Sequence, residues 1–224
     1  DPIFSRGSVG EQQTMLTVLG EMPLEQSEAV LVSLIDRGIR NQLRQEVILD
    51  LIEAVEATES EALLHRLQPL KGSGHTVDSY QETLYGGRWW QGRSVFNSNP
   101  TAQCVRCHAV DGAGGKVGPP LDNIGNILTR EQLLESLIEP SARIAPGYGN
   151  VTLTLKDGQV VTGLLKEEHP DHLLLGTAEA EPMEVPVSRI AKRENAMSAM
   201  PAMGRMISRR ELRDLMEYLS SLKQ

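Results

Sequence analysis

Apolar residues recur at helical spacing through the first third of the chain, in four sets. These are Met15, Leu16 and Leu19; Val30, Leu31, Leu34 and Ile35; Val47, Ile48, Leu51 and Ile52; and Leu63, Leu64 and Leu67. At 3.6 residues per turn each set makes one apolar face, so about four helices are predicted over residues 12–70. Pro23, Gly38 and residues 58–60 fall between the sets as breakers and caps. A repeat of about 16–18 residues between sets suggests antiparallel helix pairs, either stacked repeats or a plain bundle.

Residues 71–78 are rich in glycine and small polar side chains and are read as a linker, which divides the chain into domains at 1–74 and 75–224. A short helix is predicted from Trp89 and Trp90 through Val95 and Phe96, ending before Pro100. Thr129 and Gln132 have capping-box spacing ahead of Leu133, Leu134, Leu137 and Ile138, and Pro140 stops that helix. Beyond Gly147 the period falls to two. Val151, Leu153 and Leu155 alternate with polar residues, Asp157-Gly158 is a hairpin turn, and strands follow at 160–165, 173–175 and 183–187. Ser208 and Glu211 cap a last helix that carries Leu212, Leu215, Met216 and Leu219 on one face. The expected fold class is mainly α (α+β): a helical N-terminal segment, then an all-α fold carrying a small antiparallel β insertion at about 148–190.

Apolar residues make up 40% and charged residues 23% of the 224, enough to bury a core. A net charge of −8 argues against a nucleic-acid partner, which needs a basic face. No stretch is long and apolar enough for a transmembrane helix, and no signal peptide is evident at the start. The chain begins at Asp1 rather than Met, which reads as a processed product or an excised piece.

Its 2 cysteines lie in one motif, Cys104-Val-Arg-Cys107-His108, the C-x-x-C-H spacing for covalent attachment of haem c. On a turn of helix, residues three apart point the same way, so both thiols reach the vinyl groups of one porphyrin and the histidine meets its iron. A thioredoxin-like site would follow a strand, and a zinc site would need a second ligand pair at matching spacing; neither context is present. Gly112, Gly114 and Gly115 precede Gly118-Pro119-Pro120-Leu121, a loop that can lie flat on a porphyrin. The Pro119 carbonyl is the candidate acceptor for the second ring nitrogen of His108.

The sixth iron ligand separates an electron carrier from a haem that binds small molecules. Met197, Met200, Met203 and Met206 cluster before the last helix; Met200 leads because Pro201 stiffens the chain beside it, with the other three, a histidine or an open site as alternatives. His169 and His172 flank a turn in the predicted sheet, His65 sits on a helix surface, and His75 lies in the linker.

In order along the chain, Gly92 and Phe96, Cys104 to His108, Gly118 to Leu121 with Ile124-Gly125, Glu139-Pro140-Ser141, Gly147-Tyr148, Met200-Pro201, and Leu215 with Tyr218-Leu219 resemble a known family. It is the haem-binding cytochrome c domain of the Planctomycete and Verrucomicrobium type, found at the C-terminus of large membrane-bound dehydrogenases, often after a HEAT-like helical segment. The resemblance implies that the first and last helices of this domain cross near Gly92 and Tyr218, that Met200 binds the iron, and that a β insertion precedes the methionine. A propeller found further upstream in the larger relatives has no counterpart here, so substrate oxidation is not assigned to this chain. The reading is a one-electron carrier rather than an enzyme, with one haem c held by Cys104, Cys107, His108, Pro119, Leu121 and Met200. Its partners would be a dehydrogenase as donor and another cytochrome or carrier as acceptor, in a periplasmic or extracytoplasmic setting. The alternative is a haem peroxidase, small-ligand reductase or sensor with an open sixth site.

Overall fold

The computed structural model describes residues 2–72, 76–176 and 181–223; the expected boundary at 74/75 and His75 lie outside them. The N-terminal third is helical: α1 (Ile3–Arg6), α2 (Val9–Glu21), α3 (Leu24–Ile39), α4 (Ile48–Ala57) and α5 (Glu61–Leu67). The four apolar sets fall on α2 to α5, with Val47 in the 3₁₀ turn entering α4, and they bury one another around Leu16, Leu31, Ile35, Leu51, Val55, Leu63 and Leu67. Ser8 and Glu11 cap α2 reciprocally, and Ser60 caps α5. Gly38 does not break α3 but lies inside it, where Leu70 packs into the space a side chain would take.

A 3₁₀ strap, Val77–Thr83, leads to α6 (Trp89–Ser98), β1 (Ala109–Val110), β2 (Ala113–Gly114), α7 (Ile124–Ile127) and α8 (Arg130–Ile138). The chain closes with α9 (Arg209–Ser221), whose Ser208/Glu211 box forms as predicted, as does the Thr129/Gln132 box of α8. Helices α6 and α9 cross at Gly92, where a Cβ would overlap the Asp214 carbonyl oxygen and press on the Tyr218 side chain. Phe96 and Tyr218 pack at a tilt beside the crossing, with ring centroids 5.7 Å apart. Val95, Phe96, Leu133, Leu134, Leu137, Leu212, Leu215, Met216 and Leu219 form the core around it.

Between α8 and α9 the chain makes a five-stranded antiparallel sheet: β3 (Asn150–Leu155), β4 (Val160–Glu168), β5 (His172–Gly176), β6 (Met183–Pro186) and β7 (Ile190–Asn195). The strand order is β6-β5-β4-β3-β7, so the last strand returns to pair with the first. The sheet has its own core of Val151, Leu153, Leu155, Val161, Leu165, Leu173, Leu175 and Val185. Its ends are drawn together: the Asn195 amide donates to the Ser141 and Ala142 carbonyls at 3.1 and 2.8 Å.

The expectation of an all-α haem-protein fold is therefore corrected. The chain is α+β, and its haem-motif half holds both the five-stranded sheet and a β1–β2 hairpin turned at Asp111 and Gly112, both at positive φ. Strand β7 (Ile-Ala-Lys-Arg-Glu-Asn) is polar because it is an edge strand, and so carries no apolar alternation. The hairpin strands are two residues each, too short for any period to register.

The helical segment is joined to α9 by buried charge. Asp50 on α4 and Arg213 on α9 are both buried, with Arg213 Nη1 donating to Asp50 Oδ2 at 2.5 Å. Arg210 reaches Asp50 and Glu53, and the Gln13 amide donates to the carbonyls of Glu46 and Gly86 at 3.1 and 2.9 Å. Removing one partner of a buried ion pair strands the other charge. Asp50→Ala is expected to destabilise the protein by about 3–5 kcal/mol, measured by urea unfolding, with Asp50→Asn costing less because it still accepts from Arg213.

Candidate functional site

The chain enters the motif through a turn built by Asn99, whose side-chain oxygen accepts from the amides of Thr101 and Ala102 at 2.9 Å each. Its amide group donates to Glu211 at 2.8 Å, tying the approach to the start of α9. Gln103 then takes a left-handed conformation, φ 46°, and Cys104–Arg106 form a 3₁₀ turn. The amides of Cys107 and His108 donate to the Cys104 carbonyl at 3.1 and 2.9 Å. The two thiols and the imidazole thus occupy one helical turn, as their spacing predicts.

Their environments differ. Cys107 is exposed, whereas Cys104 packs against the α6–α9 core, and this burial pushes its thiol up to about 11. His108 is half-buried, with Nδ1 lying 2.9 Å from the Pro119 carbonyl oxygen. Because a carbonyl only accepts, Nδ1 is the donor in this bond, and in the neutral ring that leaves the lone pair on Nε2. The loop that brings Pro119 back is laced to the motif: Gly115, Gly118 and Leu121 donate to the carbonyls of Val105, Cys107 and Ala109 at 2.8, 2.9 and 2.9 Å. Gly118 lies flat against the imidazole, where a Cβ would come within 2.5 Å of His108 Cε1. Leu121 is buried in the core beneath the loop.

The methionines separate by burial. Met197 is 92% exposed and Met206 also reaches the surface, while Met203 is buried in the core. Met200 is half-buried against the same apolar cluster as Cys104. Its amide donates to Ser198 Oγ at 3.1 Å, and the Ser198 amide donates to Ser141 Oγ at 3.0 Å. Sequence reasoning noticed Ser141 only within Glu139-Pro140-Ser141 and did not foresee that it anchors the methionine loop. The remaining described histidines stand apart: His65 is exposed on α5, and His169 and His172 stack at 4.5 Å on the β4–β5 turn, paired with Glu167 and Asp171. Among the described residues no group of three or more His, Cys, Asp or Glu is placed to hold a metal ion.

Residues 91–168 match the cytochrome c family. The match opens in α6, takes in the Cys104–His108 turn and Pro119, and ends in β4; it covers about a third of the chain and stops before Met200 and α9. A search of curated proteins finds no match to the chain. A cytochrome c domain carries covalently bound haem c with its iron and serves electron transfer, so this chain contains a haem-binding electron-transfer domain.

The residues on hand fit that group. The matched span presents two free thiols on one turn, a histidine held through Nδ1 so that Nε2 is not used in that bond, and a glycine packed flat on its ring. Gly118→Ala is expected to push the His108 ring aside and break its bond to Pro119, seen as a lower yield of haem-loaded protein and a shifted Soret band. In haem-free protein, the raised Cys104 pKa means that the folded state holds more protons than the unfolded state between pH 9.0 and about 11. That stability is full below pH 9.0 and is lost as pH rises to about 11. Urea midpoints compared across this range should fall in the wild type and lose that part of the fall in Cys104→Ala.

Proposed function

We propose that the chain is a c-type cytochrome module that carries one electron at a time on a single haem, bound through Cys104 and Cys107, with His108 and Met200 as axial ligands. The observation that carries this reading is the His108 Nδ1 to Pro119 bond of 2.9 Å, which orients the ring and leaves Nε2 as the only available donor atom. Bound haem supplies an iron that takes up and releases one electron.

The protein's own residues set the conditions for that exchange. Pro119 holds the tautomer of His108, and the Ser141–Ser198 pair holds the backbone at Met200. The packing of Cys104 and Met200 on one apolar cluster supports their serving one cofactor. Among the alternatives for the sixth ligand, Met203 is fully committed to the core and Met197 stands in solvent. A filled axial position suits an electron carrier, because an iron with both positions occupied leaves no site for substrate.

The electron donor in this reading is a dehydrogenase domain or partner, and the acceptor is another cytochrome or small carrier. Among the described residues no helix is long and apolar enough to cross a membrane. Thioether attachment of haem places the protein's maturation outside the cytoplasm, so the proposed setting is periplasmic or extracytoplasmic. A planctomycete-type dehydrogenase module with a HEAT-like helical segment is the parent architecture that fits this arrangement.

Absorption spectra of the oxidised and reduced haem-loaded protein test the ligation. The ferric wild type should show the weak long-wavelength band of methionine sulfur on haem iron, and Met200→Ala should lose it and bind carbon monoxide readily when reduced. A wild type without that band, whose ferrous form already takes carbon monoxide, has an open iron and is a haem enzyme or sensor instead.

A further inference from the structure

The methionine loop is anchored a second time, downstream of Met200, by a residue outside the span that matches cytochrome c. Tyr80, on the 3₁₀ strap, is buried, and its hydroxyl donates to the Gly204 carbonyl at 2.9 Å across 124 residues of sequence. Gly204 lies against the ring itself: a Cβ there would come within 2.7 Å of Tyr80 Cζ and 2.8 Å of Ile138 Cδ1.

The strap that presents Tyr80 is itself fixed. Thr83 Oγ1 donates to the Tyr80 carbonyl at 2.7 Å, and Arg209, at the start of α9, donates to the Ser79 carbonyl at 2.6 Å. The same guanidinium lies over the Tyr80 ring, 4.6 Å from its centroid, and pairs with the buried Glu82. Tyrosine is thereby held from behind and cannot follow the loop if the loop moves.

What lies beside the contact gives it leverage. A pocket of about 200 Å³ is lined by Tyr80, Ile138, Ala202, Gly204 and Arg205, so on this side the loop is not covered by packed side chains, although Met203 and Gly204 pack on the other. With that side uncovered, the Tyr80 bond adds a directional hold to the packing of Met203 and Gly204.

We infer that Tyr80 is a positioning residue for the sixth iron ligand: its hydroxyl pins Gly204, and with the Ser141–Ser198 anchor upstream it confines Met200 to the reach of the iron. This rests on Met200 being the axial ligand. Tyr80 touches neither sulfur nor iron in this role and acts only through the loop.

The test is imidazole titration of the ferric haem-loaded protein, followed at the Soret band, in wild type, Tyr80→Phe and Met200→Ala. Phenylalanine keeps the ring under Arg209 and against Gly204 and removes one oxygen, so the fold is retained. Imidazole must displace the sulfur to bind, and loss of one hydrogen bond from the loop should tighten its binding about five-fold, equivalent to about 1 kcal/mol. Hydrogen exchange gives a readout independent of imidazole. The amides of Met206 and Ile207, which donate to the Met203 carbonyl, should exchange faster in Tyr80→Phe while those of α8 do not change. If Met200→Ala binds imidazole no better than wild type, the axial reading falls and this inference falls with it. If Met200→Ala binds better but Tyr80→Phe matches wild type in both measurements, the ligation stands and the role of Tyr80 is overturned.

Discussion

Backbone-to-backbone contact between α6 and α9 is the constraint from which the haem-motif half is built. With no side chain at Gly92, the two helices meet at the Asp214 carbonyl and the Tyr218 side chain, and every larger residue there would force them apart. The same crossing is fixed by polar bonds at both sides, Arg88 N–H to Asp214 and the Asn99 amide to Glu211. Because α6 leads into the cysteine turn and α9 follows the methionine loop, one close approach brings two sites about a hundred residues apart onto a common core. Neither local propensity nor capping accomplishes that.

Around this crossing the site is assembled mostly from backbone. The motif turn, the glycine-rich return and the Pro119 carbonyl form a cage of main-chain bonds about His108. Side chains are reserved for the proposed ligands and for the methionine loop, which hangs from Ser141 on one side and Tyr80 on the other. The division has a physical logic: His108, the proposed proximal ligand, needs one rigid orientation, which short-range backbone bonds supply. A distal loop that arrives after a long excursion has to be caught by contacts distant in sequence. The five-stranded sheet is that excursion. It closes its own core and returns the chain to Ser141, so it can lengthen the path without moving the ends.

The buried Asp50–Arg213 pair extends the same frame to the helical segment. Two charges removed from water together make a poor source of net stability, but any arrangement that separates them leaves a bare charge in the interior. Arg210 and Arg213, one turn apart on α9, both face Asp50, while Arg209 faces the strap and Glu82. The first turns of α9 are therefore where the helical segment, the strap and the methionine loop are held to one another.

The residues alone were enough to propose the chemistry. Cys104, Cys107 and His108 are neighbours in the chain, so their geometry follows from one turn of helix, and Pro119 lies close enough for a glycine-rich loop to return it. Helices α2 to α5, α8 and α9 were legible because apolar periodicity and capping boxes are local signals, and β3 to β6 because alternation is local too. Sequence likeness also anticipated the crossing at Gly92 and Tyr218. What tertiary structure decided was everything that depends on distant partners. Polar β7 becomes a strand only because β3 offers it an edge, and the short β1–β2 hairpin forms only because its turn residues accept positive φ. Gly38 stays helical because Leu70 fills the space beside it. Among four methionines, burial rather than spacing sorts one into the core, two onto the surface and Met200 between them. Tyr80 had no motif to announce it, since a hydroxyl acquires its meaning from a carbonyl 124 residues away.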